Sequence, residues 1–276
     1  MSEKISLMLS PKCCLRILAN ERMSYMQVNV FPNLHTMGAA AASAITLSIG
    51  EAICARGRAN LLLSTGASQF AVLEHLVKEK IDWSKVVMFH LDEYIGLPST
   101  HKASFRRYLR ERIIDLVPIG KAYLIEGQGD ITANVRRISR KIIAHTIDVG
   151  VIGIGENSHI AFNDPPADFE VTDAYHIVKL NDACKRQQVS EGWFTDVEDV
   201  PEEAISITPR QILKCRKIIV PVPGLRKSAA IRDTLHARAV DPMIPASLLK
   251  THGDCSLYLD LEAYSRCEEA LIWPDL

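Results

Sequence analysis

The sequence predicts an α/β fold with a doubly wound, mostly parallel β-sheet, helices on both faces and a lid insertion, in the manner of Rossmann-like proteins. Two observations lead to this prediction. Short apolar runs that are continuous rather than alternating recur along the chain, as in parallel strands covered on both faces. Between them lie stretches whose apolar residues have helical spacing, and strands that alternate with helices favour a parallel sheet.

The apolar runs and the helical stretches give the order of the elements. We place strands at residues 26–30, 60–64, 86–91, 149–154 and 217–222, with a weaker one at 256–259. We place helices at residues 36–56, 69–80, 102–116, 131–147 and 226–236. Each apolar run has the length of an ordinary strand, and polar residues or glycines follow it.

Two segments lie outside this alternation. Residues 1–25 precede the first strand and carry no evident chemistry, so we predict an N-terminal extension there. Residues 164–204 are polar and are punctuated by proline and glycine. A connection this long inside an α/β domain is typical of a functional lid or a small helical insertion. We therefore predict a single α/β domain at 26–276 with a lid around 164–204.

Composition and charge exclude several classes of protein. The 276 residues include 32 Lys and Arg against 33 Asp and Glu, which gives a net charge of −1. Proteins built mainly to neutralise nucleic-acid phosphates or to sit on anionic membranes carry a basic excess instead. With 47% hydrophobic and 24% charged residues, the composition is that of a globular protein. We expect no nucleic-acid partner and no membrane partner.

The cysteines and the N-terminal residues predict a soluble, cytoplasmic protein. The seven cysteines form no CxxC pair, and their odd number is typical of free thiols in a reducing compartment. The first twenty residues carry Glu3, Lys4, Lys12 and Arg16, unlike a secretory leader. The longest uncharged run, residues 36–50, is shorter than a bilayer span.

Candidate site residues follow the predicted strands, because ligands of open α/β sheets bind beyond the carboxyl ends of the strands. The 64–68 turn, with the sequence Ser64-Thr65-Gly66-Ala67-Ser68, separates the second strand from a helix. Its N–H groups and hydroxyls fit either an anion cradle or an ordinary helix N-cap. Lys227 lies near the start of a later predicted helix, where the helix dipole disfavours a positive charge. It is therefore either a surface lysine or the partner of an anionic ligand.

Adjacent carboxylates follow the third strand. Asp92 and Glu93 point to opposite sides of an extended chain, so at most one of them faces a given pocket. A partly desolvated carboxylate at this position could serve as a base that takes a proton from carbon. The alternative is that the acidic residue only caps a turn, since the sequence is the same in both cases. His90 and Asp92 share one strand face with metal-binding spacing, but no second ligand cluster accompanies them, and we expect no metal.

The residues after the fourth strand are the most informative. Residues 155–165 place His159 a few positions past a strand end, with Glu156 before it and Asp164 after it. Imidazole takes up and releases protons near neutral pH, and a neighbouring carboxylate raises its basicity. The alternative is a structural histidine, which the flanking carboxylates and the strand-end position disfavour.

Together these motifs resemble the glucosamine-6-phosphate deaminase (isomerase) family. The family's Asp-Glu-Tyr-x-Gly-Leu-Pro motif is similar to residues 92–98, and its Gly-x-Gly-x-Asp-Gly-His-Ile-Ala-Phe-Asn-Glu-Pro block to residues 153–165. Its Leu-x-Thr-Gly-Gly-Thr loop and Gly-x-x-Lys motif are similar to residues 63–68 and 224–227. The resemblance covers most of the chain from about residue 26, and the histidine block distinguishes it from the related 6-phosphogluconolactonases.

The resemblance implies a metal-free reaction with no cofactor, in which glucosamine 6-phosphate and water give fructose 6-phosphate and ammonia. The phosphate would bind the 64–68 turn together with Lys227, and His159 would move the proton that opens the sugar ring. Asp92 would transfer the C2 proton to C1 through an enolamine. Glu93, next to Asp92, is a further candidate for substrate binding.

Departures from the family pattern affect the proton relay and the lid. Asn157 stands where the family has an aspartate two residues before the histidine, so an amide replaces a group that stabilises an imidazolium. Asp164 replaces a glutamate and is one methylene shorter, and Glu156 is an alternative to it. The lid arginine that binds phosphate in the family has no certain counterpart, and Lys185 or Arg186 is the candidate.

Three functions follow from these observations. The leading hypothesis is an isomerase and deaminase that acts on glucosamine 6-phosphate or a close 2-amino-2-deoxyhexose 6-phosphate. One alternative is a 6-phosphogluconolactonase-like hydrolase with His159 as base, which leaves residues 92–94 without a role. The other is a sugar-phosphate-binding protein whose relay was lost at Asn157. The expected partner is a small-molecule sugar phosphate, and a homo-oligomer is possible.

Overall fold

A parallel sheet lies at the centre of the structure, a computed structural model that describes residues 26–267. The strands of the described residues are β1 (Gln27–Phe31), β2 (Ala59–Leu63), β3 (Val86–His90), β4 (Asp92–Tyr94), β5 (Lys121–Tyr123), β6 (Val149–Val151), β7 (Tyr175–Lys179), β8 (Glu203–Ile207), β9 (Lys217–Val222) and β10 (Cys255–Asp260). Seven of them form the central sheet in the order β1-β10-β9-β6-β2-β3-β5, and each neighbouring pair is parallel. The six strands predicted from apolar runs all belong to this sheet.

Helices cover both faces of the central sheet. The α-helices of the described residues are α1 (Leu34–Arg56), α2 (Phe70–Leu76), α3 (Phe105–Leu109), α4 (Ile131–Ile143), α5 (Asp182–Ser190), α6 (Pro209–Ile212), α7 (Ser228–His236) and α8 (Leu261–Tyr264), and all but α5 contribute to the clusters that cover the central sheet. Leu61 and Leu63 of β2 pack into a buried cluster with α1, α2 and α3. Leu62, between them, belongs to a second cluster with α4, α6, α7 and α8. Strand β2 is therefore apolar on both faces, which explains its continuous apolar run, and the parallel sheet covered by helices confirms the predicted fold class.

A second, smaller sheet lies beside the central one. It has the antiparallel order β4-β8-β7, and Asp92 of β4 pairs with Ser206 of β8. Asp92 and Glu93 follow the third strand, as predicted, but they also form a strand that was not predicted: β3 ends at His90 and the chain then enters this second sheet. Strand β4 has only three residues, and β7 has a single fully buried residue, so neither contains an apolar run long enough to predict it.

The predicted lid contains regular structure. Residues 164–204 include β7 and α5 and lead into β8, so the segment joins the second sheet to the pocket described below. The division into an extension, one domain and a lid stays a prediction. The extension at residues 1–25 lies outside the described residues.

Helix α1 is longer than the uncharged run from which it was predicted. It spans 23 residues, from an N-cap at Asn33 to a left-handed C-cap at Gly57. Among the described residues it is the one helix whose length and composition would suffice to cross a bilayer, which corrects the expectation drawn from the run alone. Ala41, Ile45 and Ile49 of this helix are buried in the cluster that covers the sheet. In the structure α1 is therefore a core helix of the α/β fold.

Gly38→Ala is expected to lower the free energy of unfolding by about 1–3 kcal/mol. Gly38 lies where α1 packs on α2, and a Cβ at this position would lie 2.7 Å from Cβ and 2.8 Å from the backbone C of Ala71. Because a backbone atom cannot rotate away as the end of a side chain can, the two helices must separate. Urea denaturation measures the change.

Gly50→Ala is the matched control in the same helix. A Cβ at Gly50 would meet no atom within 4 Å, so alanine is expected to stabilise the helix by about 0.5–1 kcal/mol. Equal effects of the two substitutions would contradict the close approach of α1 and α2.

Candidate active site

A pocket lies where the connectivity of the central sheet reverses. After β2 the chain continues to β3 and β5 on one side of the sheet, whereas after β6 it continues to β9 and β10 on the other. The connections that leave β2 and β6 therefore diverge and create a crevice at the carboxyl ends of the strands. The 64–68 turn, Asp92, His159 and Lys227 all line this pocket, although they are far apart in the sequence.

The 64–68 turn forms one wall of the pocket. The Ser64 N–H donates to the Val151 carbonyl at 3.0 Å, which joins the ends of β2 and β6. Gly66 has a φ of +99°, a conformation that suits glycine, and its carbonyl accepts a hydrogen bond from the Tyr108 hydroxyl at 2.9 Å. The buried hydroxyl of Ser64 has no hydrogen-bond partner among the described residues. The turn is thus held rigidly and retains a polar group for a ligand.

Asp92 faces the pocket from β4 and is almost fully buried. Burial raises the pKa of Asp92 to about 8, and the neighbouring negative charge of Glu93 adds to this increase. A carboxyl group with such a pKa is a much stronger base than an exposed aspartate, and it exchanges protons near neutral pH.

Glu93 points to the opposite side of β4 and does not line the pocket. Its carboxylate accepts hydrogen bonds from the Ser104 hydroxyl, the backbone N–H groups of Phe105 and Arg106, and Nε of Arg106, at 2.8–3.1 Å. Burial raises the pKa of Glu93, and these donors act in the opposite direction. The structure therefore places Glu93 as an anchor for the start of α3 rather than beside a substrate.

His159 lies against the backbone of Gly155. A Cβ on Gly155 would approach three atoms of the imidazole ring within 2.3–2.5 Å, so only glycine leaves room for the ring in this position. The Gly155 N–H donates to the His159 carbonyl at 2.9 Å and closes the loop between them. Ser158, next to the histidine, has a left-handed φ of +68°, at a position where the family pattern has glycine.

Asp164, rather than Asn157, lies beside the imidazole. Oδ1 of Asp164 is 3.0 Å from Nδ1 of His159, within ion-pair distance, although the ring N–H is not aligned for a hydrogen bond in this structure. Burial by itself raises the pKa of Asp164, but His159 and the Asn157 amide outweigh it and hold the pKa below its ordinary value. Asn157 donates to the same Oδ1 at 3.0 Å, and so positions the carboxylate that faces the ring.

Three other candidates are paired elsewhere or exposed. Glu156 lies 2.9 Å from Nε of Arg226 and does not contact His159. Lys185 is buried and pairs with Glu202, and Arg186 is exposed; neither lines the pocket.

Lys227 extends into the pocket and is largely buried. Burial lowers the pKa of Lys227, while the negative charges of Glu191 and Glu156 act in the opposite direction. The carboxylate of Glu191 is 3.8 Å from the Lys227 ammonium and lines the same pocket.

The lid supplies pocket residues that were not predicted from the sequence. They are Gln187, Gln188, Glu191 and Trp193. Gln188 accepts a hydrogen bond from the hydroxyl of Tyr94 at 2.8 Å, which fastens α5 to β4. The length of the 164–204 segment indicated a lid, but nothing in its composition singled out these side chains. Among residues 26–267, no group of three or more His, Cys, Asp and Glu side chains is arranged to hold a metal ion.

Comparisons with known proteins agree with this arrangement. Glucosamine-6-phosphate deaminases of Bacillus cytotoxicus and of Bacillus thuringiensis are each 31% identical over 224 residues, 81% of this chain and 84% of theirs. A solved monomeric glucosamine-6-phosphate deaminase of the NagB superfamily superposes with a TM-score of 0.80 at 26% identity, over 87% of this chain and 100% of its own. A putative 6-phosphogluconolactonase from Neisseria gonorrhoeae shares the fold, with a TM-score of 0.68 at 21% identity over 85% of this chain and 99% of its own.

A family model covers most of the described chain. The model for glucosamine-6-phosphate isomerases and 6-phosphogluconolactonases matches residues 32–257, which include the 64–68 turn, β4, the histidine loop, the lid and Lys227. This confirms the resemblance inferred from the motifs. The chain therefore belongs to the glucosamine-6-phosphate isomerase/6-phosphogluconolactonase family.

Proposed function

We propose that this protein converts glucosamine 6-phosphate and water to fructose 6-phosphate and ammonia. The observation that carries the proposal is that Asp92, His159, Lys227 and the 64–68 turn line one pocket. The turn and Lys227 bind the phosphate, and the two titratable groups act at the other end of the sugar. The deaminase relatives described above support this choice of substrate.

His159 opens the sugar ring in the proposed mechanism. Ring opening moves a proton from the C1 hydroxyl to the ring oxygen, and an imidazole can accept and return that proton. The imidazolium exists between the uptake and the return of this proton, and the ionised Asp164 stabilises it, with Oδ1 of Asp164 3.0 Å from Nδ1 of His159. Gly155 sets the position of the ring because it leaves space for it.

Asp92 then acts on carbon. The C2 proton becomes acidic only when the ring is open and C1 is a carbonyl, so ring opening must come first. In its ionised form Asp92 takes the C2 proton, and the C1 carbonyl oxygen gains a proton, which gives an enolamine. Asp92 then delivers its proton to C1, and loss of a proton from the nitrogen leaves an imine at C2. Water adds to the imine and ammonia leaves. The raised pKa makes Asp92 a sufficiently strong base for a carbon acid.

Phosphate binding contributes to the rate by positioning. The phosphate is remote from C1 and C2, so its binding energy can hold the reacting carbons against the two bases. The buried Ser64 hydroxyl and the Lys227 ammonium supply donors for it.

Ammonia release from glucosamine 6-phosphate tests the proposal directly. Release by the native chain is expected, and Asp92→Asn is expected to reduce kcat by a factor of about 1,000 or more, because asparagine cannot take the C2 proton. Hydrolysis of 6-phosphogluconolactone well above background, without ammonia release, would show the lactonase activity of other family members instead. Binding of the sugar phosphate with turnover of neither compound would show a binding protein.

The pH dependence of the same reaction follows from Asp92. Because the base must be ionised, kcat/KM is expected to increase with pH and to reach a plateau above a pKa of about 8. Initial rates between pH 5.5 and about 9.5 measure this dependence. A rate that is already constant above pH 5.5 would mean that Asp92 has an ordinary pKa or is not the base.

Asp92→Asn is also expected to stabilise the fold. Between its ordinary pKa of 3.8 and a folded-state pKa of about 8, this carboxyl ionises in the unfolded chain but stays protonated in the folded chain. Its contribution to stability is therefore lost as pH rises through this interval, and at pH 7 asparagine should recover on the order of 2–4 kcal/mol. Urea denaturation at pH 5 and pH 8 checks the sign, since the gain must be larger at the higher pH.

The relay is tested by Asp164→Asn and Asn157→Asp. Asp164→Asn is expected to lower kcat/KM by about 100-fold or more, because the imidazolium loses its carboxylate. Asn157→Asp is expected to give no increase, since it places a second carboxylate 3.0 Å from Oδ1 of Asp164 and removes a donor. Greater activity in Asn157→Asp together with a silent Asp164→Asn would show that position 157 is the true partner of the ring.

A further inference from the structure

We propose that Glu191 sets the anion affinity of the pocket, because its carboxylate takes the place beside Lys227 that a phosphate group would occupy. This inference rests on the proposed role of Lys227 as the phosphate-binding residue. A phosphate and the Glu191 carboxylate then compete for the same ammonium, and this competition is the exchange on Lys227.

The position of Glu191 is the first observation. Its Oε1 lies 3.8 Å from Nζ of Lys227, both side chains line the pocket, and only 15% and 10% of their side-chain surfaces are exposed. At this distance the two groups attract each other without a hydrogen bond, so the three N–H donors of the ammonium remain available to a closer acceptor. A phosphate oxygen at hydrogen-bond distance would compete successfully for them.

Two lid side chains hold the Glu191 carboxylate in this orientation. Nε2 of Gln187 donates to Oε1 at 2.8 Å, and the indole N–H of Trp193 donates to Oε2 at 3.3 Å. The ring of Trp193 in turn packs against those of Phe70 and Tyr108. Contacts that extend from the lid to the wall formed by the 64–68 turn therefore position the Glu191 carboxylate. These contacts hold it beside Lys227.

The charge balance of the pocket is the second observation. Among the described residues, Lys227 is the one lysine or arginine that lines the pocket. Arg226 is adjacent in sequence, but its guanidinium lies 2.9 Å from Glu156 and donates to the Ser190 hydroxyl at 2.6 Å. The Glu191 carboxylate thus offsets the positive charge on which a phosphate depends. Like charges a few ångströms apart repel more strongly in a partly buried site than in water.

The exchange gives Glu191 a role in selecting the ligand. A phosphate that binds through Lys227 alone must compete with the Glu191 carboxylate, and it makes few other contacts that would offset the free-energy cost of this competition. A phosphorylated sugar also contacts the remainder of the pocket, and these contacts supply the additional free energy. Glu191 is therefore expected to disfavour inorganic phosphate and other small anions relative to an esterified sugar.

Isothermal titration calorimetry with inorganic phosphate tests this inference on the full chain. Glu191→Gln keeps the size of the side chain and removes its charge, and it is expected to lower the Kd for phosphate by about tenfold. The matched control is Glu198→Gln, which removes the same charge from an exposed position of the lid and is expected to leave Kd unchanged. Unchanged or weaker phosphate binding in Glu191→Gln overturns the proposal, as does the absence of phosphate binding in both the native chain and this variant.

Turnover separates this inference from the proposed function. If the protein releases no ammonia from glucosamine 6-phosphate but Glu191→Gln binds phosphate more tightly, the proposed function is wrong and the exchange on Lys227 stands. If ammonia is released but Glu191→Gln and Glu198→Gln bind phosphate equally, the proposed function stands and the role of Glu191 is wrong. Thermal denaturation of each variant confirms that the comparison is between folded proteins.

Discussion

The buried carboxylate of Glu93 is the interaction on which the geometry of the site depends. It accepts hydrogen bonds from Ser104, Phe105 and Arg106, so it joins β4 to the start of α3 inside the protein. Because side chains alternate along a strand, a Glu93 that faces α3 requires an Asp92 that faces the pocket. The same carboxylate contributes, after burial, to the raised pKa of Asp92. One buried acid thus both orients the proposed base and strengthens it.

The second sheet connects the separate parts of the pocket. Strand β4 pairs with β8, and β8 pairs with β7 at the beginning of the lid. The side chain of Asn163, at the end of the histidine loop, donates to the Ile207 carbonyl of β8 at 2.9 Å. Asp92, His159 and α5 are therefore attached to the same three strands. A displacement of the lid would therefore move both proposed bases. For this reason, the group that pairs with Lys227, either Glu191 of the lid or a phosphate, also affects the reacting end of the pocket.

Strongly apolar segments were predictable from the sequence, and short half-buried ones were not. The strand from Lys217 to Val222 is buried on both faces in any register, so its apolar run identifies it without knowledge of its neighbours. In strand β7 only Tyr175 is buried and the other residues are half-buried or exposed, so only its pairing with β8 makes it a strand. The candidate residues at strand ends were found because parallel strands direct their carboxyl ends to one edge of the sheet. Glu93, Lys185 and Arg186 had suitable chemistry but lie away from the pocket, because the direction of a side chain depends on contacts that no local pattern records.

The sequence by itself determined the fold class, the family and the segments that contribute to the pocket, since these depend on the periodicity of apolar residues and on local motifs. Tertiary structure alone decided which carboxylate meets His159. Asp164 lies 3.0 Å from the ring and Glu156 pairs with Arg226, although both flank the histidine in the sequence. It also decided that Glu191 lies beside Lys227, 36 positions further along the chain. The physical reason is that electrostatic interactions and burial depend on distances in space, which the packing of the lid and the second sheet sets.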